Sequence, residues 1–167
     1  MAGYVILNKN HCKAIAENEY TLFKEINEQW HLYIFGGDYN EFSHGNIQVF
    51  IFGDMINPSD ILQNDYTKLM GNFQALIIEN NTLRLINSLF SILPVYYYKN
   101  NILVSNHIGK ITKYVNQQIT INKKYCIETA LFNYPFRENT AFQEIKLLDT
   151  NSVMLFNQTV EAYNYFN

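Results

Sequence analysis

The side chains able to do chemistry in this 167-residue chain are few and scattered. His11 and Cys12 are adjacent, and His and Cys are the commonest zinc ligands. No second pair lies at ligand spacing, so no metal site is expected. Cys126 is the other cysteine, and no CxxC motif occurs. Both read as reduced thiols of a cytoplasmic protein, although an oxidising compartment would let them pair. His107 falls in the first turn of an expected helix, where the dipole disfavours the imidazolium, and reads as a neutral surface or half-buried histidine. The lone Trp30 reads as a core or edge anchor. Residues 1–83 contain no arginine, so nothing there can clamp a carboxylate through two parallel hydrogen bonds. No complete catalytic set and no cofactor-binding loop emerges, and no cofactor is implied.

The positioning elements are easier to read. Hydrophobic residues make up 48% of the chain, with 13 Tyr and 12 Phe but only 7 Gly and 3 Pro. That composition predicts one folded domain over residues 1–167. Net charge is −3, and no basic run interleaves with aromatics, which argues against a nucleic-acid partner. No apolar run approaches the ~18 residues a membrane helix needs. The start of the chain lacks the basic flank, apolar core and small-residue cleavage site of a signal peptide. Neither a membrane nor secretion is therefore expected.

The longest β-prone run is Gly71 to Tyr98. Ala75–Ile78 is almost continuously apolar, as in a strand covered on both faces. Asn80-Asn81 can turn the chain, since Asn tolerates positive φ. Leu83 to Ser88 forms a second strand, Pro94 closes a loop, and Val95–Tyr98 begins a third. The run reads as a meander, continued by Ile102–Ser105 after a turn at Lys99-Asn100-Asn101. Further strands are expected at Gly3–Leu7, Glu19–Ile26, Trp30–Phe35 and Ile47–Phe52, with a turn at Gly36-Gly37-Asp38 and a closing hairpin over Ser152–Phe156 and Thr159–Tyr165. Helices are expected from Pro58 with Asn57 as N-cap, at His107–Val115 capped by Asn106, and at Lys123–Phe132 capped by Asn122. Ile61, Leu62, Tyr66 and Leu69 share one face of the first. Tyr125, Ile127, Ala130 and Leu131 are the expected inward residues of the last.

Gly71 and Phe73 opening a strand, followed by a hairpin and then Pro94, Val95, Tyr96 and Tyr97, resemble a stretch of the class II glutamine amidotransferase domain. This is the N-terminal, glutaminase-type domain of the asparagine synthetases. Further loose matches follow in the family's order. Gly53, Asp54 and Asn57 resemble its Asn-Gly-Glu-aliphatic-Tyr-Asn segment. Thr140, Phe142, Ile145 and Leu148 resemble a later run, and Asp149-Thr150-Asn151 takes the place of a Pro-Gly turn. The fold this resemblance implies is α+β: a four-layer αββα sandwich of the N-terminal-nucleophile hydrolase type, with two stacked, mostly antiparallel sheets.

What the resemblance implies for chemistry is largely a loss. In the family, removal of the initiator Met exposes a Cys-Gly terminus. Its thiolate attacks the glutamine amide, and its α-amine acts as base. Here Ala2 precedes Gly3, whether by nature or by design, and an alanine has no nucleophile. Cys12 is too far along the chain to share the terminal amine in the same way. Phe52 replaces the Asn that donates to the oxyanion, a loss typically worth about 10²- to 10³-fold in rate. The carboxylate-holding Arg has no counterpart, and Asn87, Ser88 and Ser91 stand where relatives carry Arg-Asp and Gly. Ala2, Phe52, Gly53 and Asp54 are thus the degenerate site positions, and no catalytic residue is assigned.

Relatives with comparable losses include the β-lactam synthetases and lasso-peptide cyclases, where the silent domain precedes an ATP-dependent synthetase domain. That domain needs a Ser-Gly-Gly-x-Asp-Ser loop, absent from these residues. The resemblance implies a non-catalytic domain supporting an asparagine-synthetase-like ligase held elsewhere, with a possible homodimer through the aromatic surface. Two alternatives remain: a binding module using the old glutamine pocket, and a rearranged glutaminase using Cys12.

Overall fold

The computed structural model describes residues 2–63, 65–90, 92–98, 102–134 and 138–165. The expected turn Lys99-Asn100-Asn101 lies outside the described residues, as do Ser91 and Pro135. The strands are Gly3–Asn8 (β1), Leu22–Glu25 (β2), Trp30–Phe35 (β3), Asn40–His44 (β4), Ile47–Ile56 (β5) and Met70–Glu79 (β6). They continue with Thr82–Asn87 (β7), Tyr96–Tyr98 (β8), Leu103–Ser105 (β9), Ile145–Leu147 (β10), Ser152–Phe156 (β11) and Val160–Asn164 (β12). Two short α-helices, Ile108–Tyr114 (α1) and Lys123–Phe132 (α2), accompany them. The protein is mostly β with minor α.

The strands form two six-stranded sheets, ordered β10-β8-β9-β1-β3-β2 and β12-β11-β7-β6-β5-β4. Every pairing between named strands is antiparallel. Period-two alternation then sorts the side chains. From β1, Tyr4 and Ile6 point into a core shared with Leu32 and Ile34 of β3 and with Phe50, Phe52, Leu76, Leu85 and Met154 of the other sheet. Val5 and Leu7 point the other way, onto Ile111 and Tyr114 of α1. On the far side, Val49, Ile51, Ala75 and Ile77 pack beneath Ile61, Tyr66 and Leu69. The two sheets therefore face one another, and β1 and β6 are covered on both sides. That cover is why their sequences run apolar without alternation.

Several expectations change. The Gly71–Ser105 meander divides: β6 and β7 belong to one sheet, β8 and β9 to the other. The crossing falls between Asn87 and Tyr96, a stretch containing Pro94, whose missing N–H cannot join a ladder. The turn between β6 and β7 has Asn80 and Asn81 both at positive φ, 48° and 63°, as their residue type predicts. The helix from Pro58 is instead two short 3-10 segments, Pro58–Gln63 and Tyr66–Lys68. Asn57 is left-handed (φ 54°) rather than in the extended conformation of an N-cap, and its carbonyl accepts the Asp60 N–H. Ile61, Tyr66 and Leu69 still share one buried face.

In α2 the expected inward face is reversed. Asn122 does cap the helix, accepting the Tyr125 N–H. Yet Ile127 and Leu131 are 59% and 70% exposed, while Glu128 is buried. The Glu128 carboxylate accepts from Asn139 Nδ2 at 3.0 Å and lies 3.7 Å from Lys124 Nζ. Those partners make burial of the charged residue tolerable and turn the apolar stripe outward.

Candidate functional site at the start of the first strand

Of the positions singled out by the resemblance, Ala2 and Phe52 are the two that the structure brings together. Both are buried in the core between the sheets. The Phe52 ring lies 5.0 Å from Tyr4 and 5.8 Å from Tyr39, centroid to centroid. It thereby fills the space beside the start of β1 with hydrocarbon. An oxyanion hole needs a hydrogen-bond donor aimed at the reacting atom, and a benzyl side chain has none.

The residues around the start of β1 tie it down. Asn106 does not cap α1: its Oδ1 accepts the Tyr4 N–H at 2.9 Å, and its Nδ2 donates to the Ala2 carbonyl at 3.4 Å. Ser105 Oγ donates to the Tyr4 carbonyl at 2.6 Å and accepts the His107 N–H at 3.0 Å. Both Ser105 contacts are to backbone atoms, so the hydroxyl is spent on holding β1 rather than activated by a base. His107 packs over Gly3. A Cβ at residue 3 would stand 2.5 Å from His107 Cδ2 and 3.1 Å from Asn106 Oδ1, so only glycine leaves room. Burial pushes the His107 imidazole pKa down, with Lys110 adding to the effect and a backbone hydrogen bond to Ala2 opposing it. It is a neutral ring wedged against the chain, which agrees with the sequence reading.

A buried amide completes the arrangement. Gln74 of β6 accepts from the Tyr4 hydroxyl at 3.0 Å and donates to the carbonyls of Leu93 and Pro94 at 2.8 and 3.1 Å. Tyr4 is fully buried, which drives its phenol pKa up and keeps it protonated. Through Gln74, one side chain of β1 is joined to the opposite sheet and to the crossing before β8.

Gly53 and Asp54 belong to the same strand but not to the same pocket. The strand expected to end at Phe52 continues through Ile56. Gly53 pairs with Phe73 and Asp54 with Asn72. Beyond the last partners of β4 and β7, these residues form a two-stranded ribbon. Gly53 has φ 93°, and a Cβ there would meet Asn72 O at 2.4 Å and Leu93 Cδ1 at 3.0 Å. Gly71 has φ 125°, and a Cβ would meet Asp54 O at 2.2 Å. Both glycines thus have a local, steric reason to be there. Asp54 is exposed on the ribbon and contributes nothing to the space beside Ala2.

Cys12 lies at the other end of β1. Its thiol is buried among Leu7, Leu103 and Val115 and donates to the Ile102 carbonyl at 3.5 Å. Six residues of strand separate the two ends, about 20 Å. Burial pushes the Cys12 thiol up to about 11, the wrong direction for a nucleophile. His11 is exposed, and its carbonyl accepts from Asn116. Cys126 is exposed on α2. Trp30 is buried, its indole N–H donating to the Asn157 carbonyl at 2.8 Å, as a core anchor should. Among the described residues, no three His, Cys, Asp or Glu side chains are grouped closely enough to hold a metal ion. No described helix is long and apolar enough to cross a membrane.

The sequence reading missed the Ser105–Asn106–His107 clasp and the buried Gln74. The signal was a Ser-Asn-His run directly after a short apolar strand, which reads equally well as a helix cap. Comparison of the sequence with known protein families and with curated proteins finds no match.

Proposed function

We propose that this chain is a non-catalytic glutamine amidotransferase-like domain whose role is to support an ATP-dependent, asparagine-synthetase-like ligase. The observation that carries the reading is the closed start of β1. An inner strand of one of the two facing sheets starts beside the Ala2 methyl group, and the neighbouring space is filled by Phe52 and clasped by Asn106 and Ser105. The family's chemistry requires a nucleophile, a free amine and an oxyanion donor at that point. Ala2 and Phe52 supply neither thiol nor donor, while the strand that would present them keeps its central position.

We read the layers as a reduced αββα sandwich. On one outer face α1 covers Val5, Leu7 and Tyr33; on the other, 3-10 turns stand where the family has helices. The order of the loose sequence matches along the chain supports the same reading. The ligase would be a partner subunit or a further domain, and it would form an amide or lactam from an activated carboxylate. Peptide natural-product and polysaccharide biosynthesis are the settings where such a ligase is expected.

The test is co-expression with a synthetase whose reading frame adjoins this one. The reading predicts a complex that survives gel filtration and amide formation that falls at least tenfold when this chain is omitted. A ligase that is equally active alone, with no complex at micromolar concentration, overturns it. So does release of ammonia from glutamine by this chain.

A further inference from the structure

A cavity lies on the outer, α1-facing side of the sheet that holds β1, beside β8, whose Tyr96 pairs with Ser105. It measures about 320 Å³ and is walled by Pro94, Tyr96 of β8, Ile108 of α1, Tyr125 of α2, Phe142 and Asn139. We propose that this cavity binds a neutral aromatic group carrying a hydrogen-bonding substituent, such as a phenol or an indole. The inference does not rest on the amidotransferase reading.

Three features of the lining lead there. Tyr96, Tyr125 and Phe142 provide aromatic surface on several sides, and among the described residues no charged side chain lines the space. An ionic ligand would be desolvated there without a counter-charge, at a cost that neutral aromatic ligands avoid. Polar groups are nevertheless present and uncommitted. The Tyr96 and Tyr125 hydroxyls make no hydrogen bond among the described residues. Asn139 spends its Nδ2 on Glu128, at 3.0 and 3.3 Å, which leaves its Oδ1 as an acceptor. A mainly apolar cup with a few free donors and an acceptor is the usual form of a small-ligand site. The volume admits about ten water-sized heavy atoms, the size of one substituted ring.

The walls are fixed before any ligand arrives. Thr140 Oγ1 donates to the Ile145 carbonyl at 2.7 Å and accepts the Phe142 N–H at 3.2 Å. Asn122 Nδ2 donates to the Thr140 carbonyl at 3.0 Å, and the Asn122 N–H to the Ala141 carbonyl at 2.9 Å. The Leu148 N–H donates to the Val95 carbonyl at 2.7 Å. Residues 139–142 are thus held against both α2 and the sheet, and little ordering cost falls on binding.

The aromatic group could be a free small molecule or a side chain presented by a polypeptide. The experiment separates them. Indole, p-cresol and N-acetyl-tryptophanamide are titrated into the full chain, followed by melting temperature and by NMR. Indole or p-cresol should half-saturate near 1 mM or tighter, with intermolecular NOEs to the Tyr96 and Phe142 rings. Comparable affinity for N-acetyl-tryptophanamide identifies a side-chain site; its exclusion identifies a free-ligand site. Ala141→Phe, which fills the cavity, and Tyr125→Ser, which removes one wall, should each weaken binding at least tenfold. No saturation by any of the three below 10 mM, or NOEs confined to other rings, overturns the proposal. The NOE readout on the unaltered protein stands even if a variant fails to fold.

Discussion

Replacing Phe52 tests whether the start of β1 is closed by packing. The ring is buried at 3% exposure between Tyr4 and Tyr39, with Ala2 in the same cluster. Phe52→Ala removes its transfer free energy and leaves a cavity that rigid strands on both sides cannot collapse, a combined cost of about 3–5 kcal/mol. For a domain of this length each kcal/mol lowers Tm by about 2–4 °C, so a fall of roughly 6–20 °C is expected. Phe52→Leu keeps most of the volume and should cost about 1 kcal/mol. Phe52→Asn strands an amide in hydrocarbon, adding about 1–3 kcal/mol to the cavity cost. Urea unfolding of the three variants supplies the comparison. The order Leu, Ala, Asn, with rising cost, is the expected result. A loss below about 0.5 kcal/mol for Phe52→Ala is what an exposed position gives, and it would refute the packing argument.

Asn106→Ala should destabilise the protein by about 1–3 kcal/mol, since it leaves the Tyr4 N–H without its 2.9 Å partner; hydrogen exchange at Tyr4 should rise with it. Iodoacetamide should label Cys126 in the native protein and spare Cys12, which is buried and held protonated, until the chain is unfolded; equal labelling would contradict its placement. Burial lowers the pKa of His107 and His31 below their ordinary 6.5. The unfolded chain therefore takes up protons first, so stability is full above about pH 6.5 and declines as pH falls through the folded values. The urea midpoint should be lower at pH 5.5 than at 7.5, and His107→Gln should shrink that difference.

Strands with an apolar run or a clear alternation were legible in the sequence. β1, β3, β6 and β7 fall where Tyr4–Leu7, Trp30–Phe35, Ala75–Ile78 and the residues after Asn80-Asn81 place them. β4 was not legible, because Asn40–His44 is an edge strand in which only Phe42 packs inward and the other residues are exposed. Nor was the true length of β5, since Gly53 and Asp54 look like a turn but are paired with Phe73 and Asn72. α2 misled for a different reason. Its apolar spacing suggested an inward stripe, but a buried Glu128, held by Lys124 one turn back and by Asn139 just beyond the helix, decided the orientation, and hydrophobic periodicity does not register such a polar anchor. Phe52 was legible as a core residue, since an apolar side chain in an apolar run packs as such. The Asn106 clasp escaped because an Asn before a helix has two good uses, and only the tertiary structure selects between them.

The central claim is that the reactive end of an amidotransferase scaffold has been closed, and glutamine turnover tests it most directly. Ammonia and glutamate are measured with the purified full chain, its Cys12→Ala variant and buffer alone at saturating glutamine. The account predicts the same background rate in all three. Turnover above buffer that disappears in Cys12→Ala would contradict it, for it would mean that a thiol about 20 Å from the start of β1 performs the chemistry.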